Sequence, residues 1–189
     1  RLVLQQAFEH WRELDEHMRW CDQQIGQHVR GDARAKRAAK ITGIGEIGAS
    51  ALVAGVGEFS QFDNGAQCGA WLGLVPRQNS SGGKAVLGRI TKRGDDYLRT
   101  LLIQGAKAAV MSAPKRDDPI SRWRAQLTAR VGWQKACVAM ANKNARILWA
   151  VMTREQVFDP HHVSVKPPAK QSTRQTAAAA PPLAAACPA

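Results

Sequence analysis

Two adjacent serines, Ser80 and Ser81, are followed directly by Gly82 and Gly83 within residues 76–99, a stretch that also carries six Lys and Arg side chains. A serine hydroxyl attacks a phosphate only when a base removes its proton and cations stabilise the charge that develops. Glycines remove side-chain bulk, so a ligand backbone can approach the hydroxyl closely. The pattern admits three interpretations: a nucleotide-binding loop, an inert basic linker, or a serine that attacks a nucleic-acid phosphate.

The spacing within this stretch excludes the first interpretation. A nucleotide-binding loop of the Walker type requires G-x-x-x-x-G-K-S/T. Here Lys84 is followed by Ala85, and the glycine that stands ten positions before Gly83 is wrongly spaced. The inert linker and the nucleophilic serine therefore remain open.

The hydroxyl of Ser81 is the preferred nucleophile because it adjoins the glycines, and Ser80 is the alternative. No histidine lies near the loop, so the sequence does not show a local base. Cations of the same stretch are the candidates for holding the phosphate. They are Arg77, Lys84, Arg89, Lys92, Arg93 and Arg99.

The charge of the chain favours a polyanionic partner. The 189 residues have a formal net charge of +12 and a pI of about 10.2, which favours nucleic acid first and an anionic membrane second. Residues 41–76 contain no Lys or Arg, and the positive charge is concentrated in residues 77–154, after the serine loop begins. Lys135, Lys143 and Arg146 lie outside the predicted core stripe of the last helix and are further candidates for nucleic-acid contact.

Several other classes of protein are disfavoured. No apolar run approaches the roughly 18 residues of a membrane helix, and no signal peptide opens the chain, so we expect no membrane partner and a cytoplasmic location. The four cysteines form no C-x-x-C pair and have no zinc spacing, which favours reduced thiols. His161 and His162 are adjacent and cannot face one site on a helix or strand, so we predict no metal site. The chain begins with Arg1 rather than Met, which suggests a fragment.

The first segment is predicted to be one long helix with a coiled-coil pattern. Leu4, Trp11, Met18 and Ile25 are spaced by seven, and Ala7, Leu14, Cys21 and His28 each follow three residues later. This is an a/d heptad pattern over four heptads. It predicts pairing with a second copy, and the alternative is a helix that packs on its own domain.

Residues 30–59 resemble a helix-hairpin-helix. Asp32 can cap a short helix that ends near Lys40, Gly43 and Gly45 flank Ile44 in a tight turn, and a second helix follows. In such a hairpin the glycines allow close approach of a nucleic-acid backbone, and the free N–H groups of the second helix attract phosphate. The alternative is a plain helical hairpin in the core.

The remaining motifs lie on helices, and the sequence predicts an all-α fold. Helical stretches begin after Asp63 or Asn64 and after Asp95 or Asp96, and two more cover residues 120–130 and 133–153; residues 86–91 could form a short strand. We therefore expect three parts: a coiled-coil arm over residues 1–30, a helical domain over residues 31–158, and a disordered Pro/Ala-rich tail over residues 159–189.

Two of these segments carry a resemblance to a known family. "WLGLVPRQNSSGGKAVLGRITKRGDDYLRTLLIQGA" followed by "KACVAMANKNARILWAVM" resembles the C-terminal, serine-bearing domain of the insertion-sequence one-hundred-and-ten family of transposases. The resemblance covers roughly residues 41–158. It implies a DNA recombinase with a loop serine as covalent nucleophile and a guide RNA that chooses the DNA sites.

The resemblance also implies a part that this sequence does not contain. The family carries an N-terminal RuvC-like domain with four acidic residues that bind Mg²⁺. That domain could also supply the base that the serine needs. We expect no cofactor in this chain itself, and we expect the chain alone to be inactive. The alternative is a non-enzymatic, basic helix-hairpin-helix module that binds nucleic acid.

Overall fold

The computed structural model describes residues 1–79 and 86–162, and this part of the chain is mostly helical. The seven α-helices described are α1 (Leu2–Gly31), α2 (Ala33–Ala39), α3 (Glu46–Val56), α4 (Gly65–Trp71), α5 (Asp96–Ser112), α6 (Pro119–Val131) and α7 (Trp133–Thr153). Short 3-10 turns cover Phe59–Gln61 and Ala113–Lys115, and two strands, β1 (Pro76–Gln78) and β2 (Leu87–Ile90), form one antiparallel pair. The prediction of a helical fold is confirmed, and the small sheet is an addition to it.

Four helices begin at a side chain that caps them. Asp32 accepts hydrogen bonds from the N–H groups of residues 34 and 35 at the start of α2, and Asn64 does the same for α4. Asp95 caps α5 and Asp118 caps α6, each through one N–H three residues later. Such caps satisfy N–H groups that have no partner within the helix, so the sequence places these helix starts well.

The core lies between α5 and α7, which are surrounded by α2, α3, α4 and α6. Leu102 and Ala106 of α5 are buried against Met140 and Leu148 of α7. The apolar residues Ile47, Ala51, Leu52 and Val56 predict one buried face of α3, and the structure buries Leu52 and Val56 but not Ile47. Ile47 is 45% exposed, whereas Val53 is buried, because α3 turns its Ala49–Val53 side towards α5.

Most of α1 extends away from this core. Only Gly26 and Val29 of its 30 residues are buried, where its C-terminal end packs on α2 and α3. The apolar positions nearer the N-terminus are open to solvent: Leu4 is 75% exposed and Trp11 is 59% exposed. The long helix is therefore as predicted, while its pairing as a coiled coil stays a prediction.

The turn of the helical hairpin between α2 and α3 is packed into the core. Gly43 has a φ of +91°, and a Cβ added there would lie 2.8 Å from the carbonyl oxygen of Gly105 in α5. The Asn144 amide of α7 donates to the carbonyl of Thr42 over 3.1 Å. Gly43 is thus required by backbone geometry and by close packing.

No helix among the described residues combines the length and apolarity of a membrane crossing. The domain boundaries at residues 30 and 158 stay predictions. The predicted tail falls largely on residues 163–189, which lie outside the described part of the chain.

Candidate nucleic-acid interface

The strands β1 and β2 form a hairpin that leads to the two serines. Pro76 pairs with Ile90 and Gln78 with Leu87, with an irregularity between them, and the Asn79 N–H donates to the Val86 carbonyl over 2.9 Å. The intervening residues 80–85 are outside the described residues. The assignments of Ser80, Ser81 and Lys84 therefore stay predictions.

The other end of the hairpin is closed by main-chain hydrogen bonds. The Thr91 N–H donates to the carbonyl of Val75 over 2.9 Å, and the Lys92 N–H donates to the carbonyl of Gly73 over 3.1 Å. Two glycines permit this close packing. Gly73 has a φ of +71° and Gly94 a φ of +101°, and an added Cβ on either would overlap a main-chain carbonyl of the facing segment.

Arg99 lies beneath this end of the hairpin. It is 5% exposed, and its guanidinium donates to the carbonyls of Leu72, Gly94 and Asp95 at 3.4 to 3.5 Å and to the Asp96 carboxylate. The sequence suggested a phosphate contact for Arg99. The structure instead buries its guanidinium among protein acceptors, so we assign it a positioning role.

Four cations of the hairpin face solvent. Arg77 lies on β1 and Arg89 on β2, and Lys92 and Arg93 lie in the turn that follows; all four are exposed. None of them forms an ion pair within residues 1–79 and 86–162. The hairpin therefore carries four positive charges that are available to an anion.

The neighbouring acids Asp95 and Asp96 are exposed, and each has another partner within the protein. Asp95 accepts from the Leu98 N–H as the cap of α5, and Asp96 is paired with buried Arg99. Lys92 has a φ of +54°, a left-handed conformation that costs a non-glycine residue roughly 1 kcal/mol.

The turn glycines of the helical hairpin occupy two different environments. Gly43 is packed against α5, whereas a Cβ added at Gly45 meets no atom within 4 Å. Gly45 is exposed and precedes the first turn of α3, but Asp22 and Glu46 line the same depression. These carboxylates would repel a phosphate, so the predicted helix-hairpin-helix contact is open sterically and disfavoured electrostatically.

The predicted cations of α7 divide into two groups. Lys135 is exposed near the N-terminal end of α7, while Lys143 and Arg146 line a groove on a different part of the helix. The Nζ atom of Lys143 lies 4.0 Å from the ring centroid of Trp123 on α6. Burial, followed by the charges of Arg146 and Arg124, holds the pKa of Lys143 below its usual value.

Sequence reasoning missed two features of this interface. One is the burial of Arg99, for which its spacing of three and four residues from Asp96 and Asp95 was an available signal. The other is the groove beside Trp123, which brings together residues that are far apart in the sequence. The described residues contain no group of three or more His, Cys, Asp or Glu side chains placed to hold a metal ion.

Comparison with known proteins shows which family part of this chain is similar to. Residues 35–121 match the model of the Transposase IS116/IS110/IS902 family. Over 158 residues the chain is 48% identical to a "Probable family 20 transposase" of Pseudomonas aeruginosa, covering 84% of this chain and 47% of that protein. Over residues 35–121 the chain is thus similar to the IS116/IS110/IS902 transposase family, and this relative with a transposase name agrees with that likeness.

Two further relatives carry similar names. The chain is 42% identical over 137 residues to "Transposase for insertion sequence element IS1111A" of Coxiella burnetii, covering 72% of this chain and 38% of that protein. It is 38% identical over 157 residues to "Transposase for insertion sequence element IS1328" of Yersinia enterocolitica, covering 82% of this chain and 47% of that protein. The chain thus spans about half the length, or less, of the curated relatives it matches.

Proposed function

We propose that this chain is the DNA-binding, serine-bearing part of an insertion-sequence transposase. The observation that carries the proposal is the β1–β2 hairpin. Its strands lead to Ser80 and Ser81, its base is fixed over buried Arg99, and its exposed cations have no ion-pair partner within the described residues. A positively charged support that is hydrogen-bonded at its base suits a loop that must hold a phosphodiester.

The proposed chemistry is a transesterification at phosphorus. The Ser81 oxygen, with Ser80 as the alternative, attacks the phosphorus of a DNA phosphodiester while its proton passes to a base. The bond from phosphorus to one sugar oxygen breaks, and that oxygen leaves as a hydroxyl. The serine–phosphate ester conserves the bond energy, so a DNA hydroxyl can attack it in the reverse direction and rejoin the strand without ATP.

The cations support both steps electrostatically. The phosphate gains negative charge in the transition state, and fixed positive groups stabilise that charge most effectively where they need not reorganise. Arg77 and Arg89 are held on paired strands, which restricts their backbone. We assign the same role to Lys84, Lys92 and Arg93 on sequence grounds.

Further partners follow from the family resemblance. We propose that a RuvC-like domain supplies the base and holds Mg²⁺, that a guide RNA selects the DNA sites, and that the complex acts at the bacterial nucleoid. The exposed apolar stripe of α1, which includes Leu4, Trp11 and Met18, supports pairing with a second copy.

A duplex-binding titration tests the DNA-binding part of the proposal. Engagement of six phosphates gives a slope of about −5 in a plot of log affinity against log salt concentration. Replacing Arg77 and Arg93 together by Ala should make this slope shallower by about 1.8. Arg12→Ala, an exposed arginine of the α1 arm, is the matched control and should leave the slope unchanged.

Two results of this titration would contradict the proposal: a flat salt response, or equal effects of the hairpin and arm substitutions. Binding that depends on the hairpin but never leads to a DNA–serine ester would favour the non-enzymatic nucleic-acid-binding module instead.

A further inference from the structure

A groove lies on the side of the molecule formed by α4, α6 and α7. It has a volume of about 980 Å³. Two tryptophans line it, Trp123 from α6 and Trp149 from α7, together with the cations Lys143, Arg146 and Arg154. None of the residues that form the β1–β2 hairpin lines this groove, so it is a separate surface of the described structure.

The cations of the groove lie along one face of α7 and at its C-terminal cap, Arg154. Lys143, Arg146 and Arg154 follow one another at intervals of three and eight residues, which places them along one helical stripe. The eleven steps along the chain from Lys143 to Arg154 span about 16 Å at the helical rise per residue. Ala139 and Ala150 lie on the same stripe, so small side chains leave space between the charges.

The groove has no negative charge of its own among its described lining residues. Lys143, Arg146 and Arg154 form no ion pair within the described part of the chain. Asp159 lines the adjoining cavity together with Lys143 and Arg154, but it lies beyond ion-pair distance of both. The face therefore has a net positive charge that an anionic ligand would neutralise.

The tryptophan rings are held in place before any ligand binds. The indole N–H of Trp149 donates to the carbonyl of Phe62 over 3.0 Å, and both rings pack partly against the core. The ammonium of Lys143 lies over the ring of Trp123 at 4.0 Å from its centroid. Burial and the neighbouring Arg146 lower the pKa of Lys143, so an anion beside it would relieve an unfavourable environment.

We propose that this groove binds an unpaired segment of nucleic acid, with phosphates on Arg146, Arg154 and Lys143 and a base stacked on Trp123. On binding, the Lys143 ammonium moves from the Trp123 ring to a phosphate. The face of the Trp123 ring is then free to stack on the base. Every base has a flat π-face, so stacking of this kind needs no particular sequence. A duplex keeps its bases stacked inside and cannot offer that face to a recessed ring, which is why the ligand is single-stranded.

This inference rests on the proposed function and adds a second nucleic-acid site to it. The hairpin binds duplex DNA, and the groove holds a strand that is not paired. An acidic peptide is the competing occupant, because it would also contact the three cations. It would gain nothing from base stacking, and that difference separates the two ligands experimentally.

The test measures affinity for single-stranded DNA and RNA oligonucleotides of one sequence, each about 12 nucleotides long, and for duplex DNA. Trp123→Leu keeps an apolar side chain in place and should weaken single-strand binding about fivefold or more. Arg146→Ala with Arg154→Ala, both at exposed positions, should make the single-strand salt slope shallower by about 1.4. Arg130→Ala, an exposed cation of α6 outside the groove lining, is the control and should change neither value.

A fluorescence change on oligonucleotide binding that is lost in Trp123→Phe would support the same site. Unchanged single-strand affinity in both Trp123→Leu and the double arginine variant, with duplex binding intact, would overturn the groove proposal and leave the proposed function standing. Absence of binding to any nucleic acid would overturn both. A loss in the arginine variant alone, with polyglutamate competing as well as an oligonucleotide of equal charge, would assign the groove to an acidic peptide.

Discussion

The guanidinium of Arg99 donates a hydrogen bond to the main-chain carbonyl of Leu72 over 3.4 Å and so connects the first turn of α5 to the end of α4. Both strands of the serine hairpin lie between these two residues in the sequence. Because the guanidinium also donates to Gly94 and Asp95, one buried cation fixes both chain segments from which the hairpin rises.

Loss of this cation should destabilise the protein and release the hairpin. Arg99→Met leaves the carbonyls of Leu72, Gly94 and Asp95 without this donor, and a buried acceptor without a partner costs about 1–3 kcal/mol. We expect the free energy of unfolding in urea to fall by about 2–4 kcal/mol. Arg93→Met, at an exposed position, should change it by less than about 0.5 kcal/mol. Equal effects of the two substitutions would contradict the positioning role of Arg99.

The two turn glycines of the helical hairpin should respond differently to alanine. Gly43→Ala must adopt a φ of +91° and place a Cβ 2.8 Å from the Gly105 carbonyl, so we expect a loss of about 2–4 kcal/mol of unfolding free energy. Gly45→Ala meets open space at a φ of −85° and should fold normally. If the turn between α2 and α3 binds a phosphate, the added methyl group of Gly45→Ala weakens duplex binding without any loss of stability. Unchanged affinity in this variant would remove the turn from the DNA-binding surface.

Much of the helical framework is predictable because it depends on local signals. The caps Asp32, Asn64 and Asp95 mark helix starts that the structure confirms, and α7 has the predicted bounds Trp133–Thr153. Side-chain caps and apolar periodicity act within a few residues, so a single sequence contains them.

The parts that could not be predicted depend on distant contacts. The strand β1 is only three residues long and exposed, and it exists because Leu87–Ile90 pairs with it across the serine loop. The close packing of Gly43 against Gly105 and the cation–π contact of Lys143 with Trp123 likewise join separate segments. The sequence shows that the positive charge is concentrated in residues 77–154. Only the packing of the folded chain distinguishes exposed Arg93 from buried Arg99.

The cap of α6 should make stability depend on pH in the acid range. Burial raises the pKa of Asp118, but hydrogen bonds from Ser121 and the charge of Arg124 outweigh it and hold the pKa below its usual value. The stability that the ionised Asp118 carboxylate contributes is therefore complete above about pH 4. It is lost as the pH falls through the lowered pKa of Asp118 in the folded protein. Asp118→Asn should reduce the free energy of unfolding by about 1–3 kcal/mol near pH 7 and flatten its decline below about pH 4.

The neighbouring Asp117 provides the control for that substitution. Its side chain is 91% exposed and pairs with exposed Arg122, an arrangement that contributes little to stability. Asp117→Asn should leave the urea midpoint unchanged at both pH values. The same acid sensitivity in Asp118→Asn as in the parent chain would contradict the account of the cap.

The α1 arm should associate through its apolar stripe. Trp11 is 59% exposed, and its ring centroid lies 5.7 Å from that of Phe8, so a charge at position 11 would disrupt a paired surface without touching the core. We expect Trp11→Lys to shift sedimentation from dimer towards monomer. Gln23→Lys adds the same charge at an outer heptad position and should leave the dimer intact. Monomeric parent protein at all concentrations would remove the support for pairing of this chain.

The central claim concerns the serine hydroxyl, and its test includes the proposed RuvC-like domain. The chain is joined to the part of the Pseudomonas aeruginosa relative that it does not cover, and is incubated with Mg²⁺, end-labelled duplex DNA and any RNA recovered with the protein. Denatured samples on a gel then show whether DNA is covalently attached. Arg77→Ala with Arg93→Ala should weaken both DNA affinity and the adduct, since these cations are proposed to hold the scissile phosphate.

The most direct measurement is the amount of this adduct in the serine variants. Ser81→Ala should abolish it while duplex affinity stays nearly unchanged, because a neutral hydroxyl adds little to a contact dominated by charge. Ser80→Ala should retain it, and the opposite pattern would identify Ser80 as the nucleophile. An adduct of full strength in the Ser80→Ala, Ser81→Ala double variant would contradict the account and leave the loop as a basic binding surface.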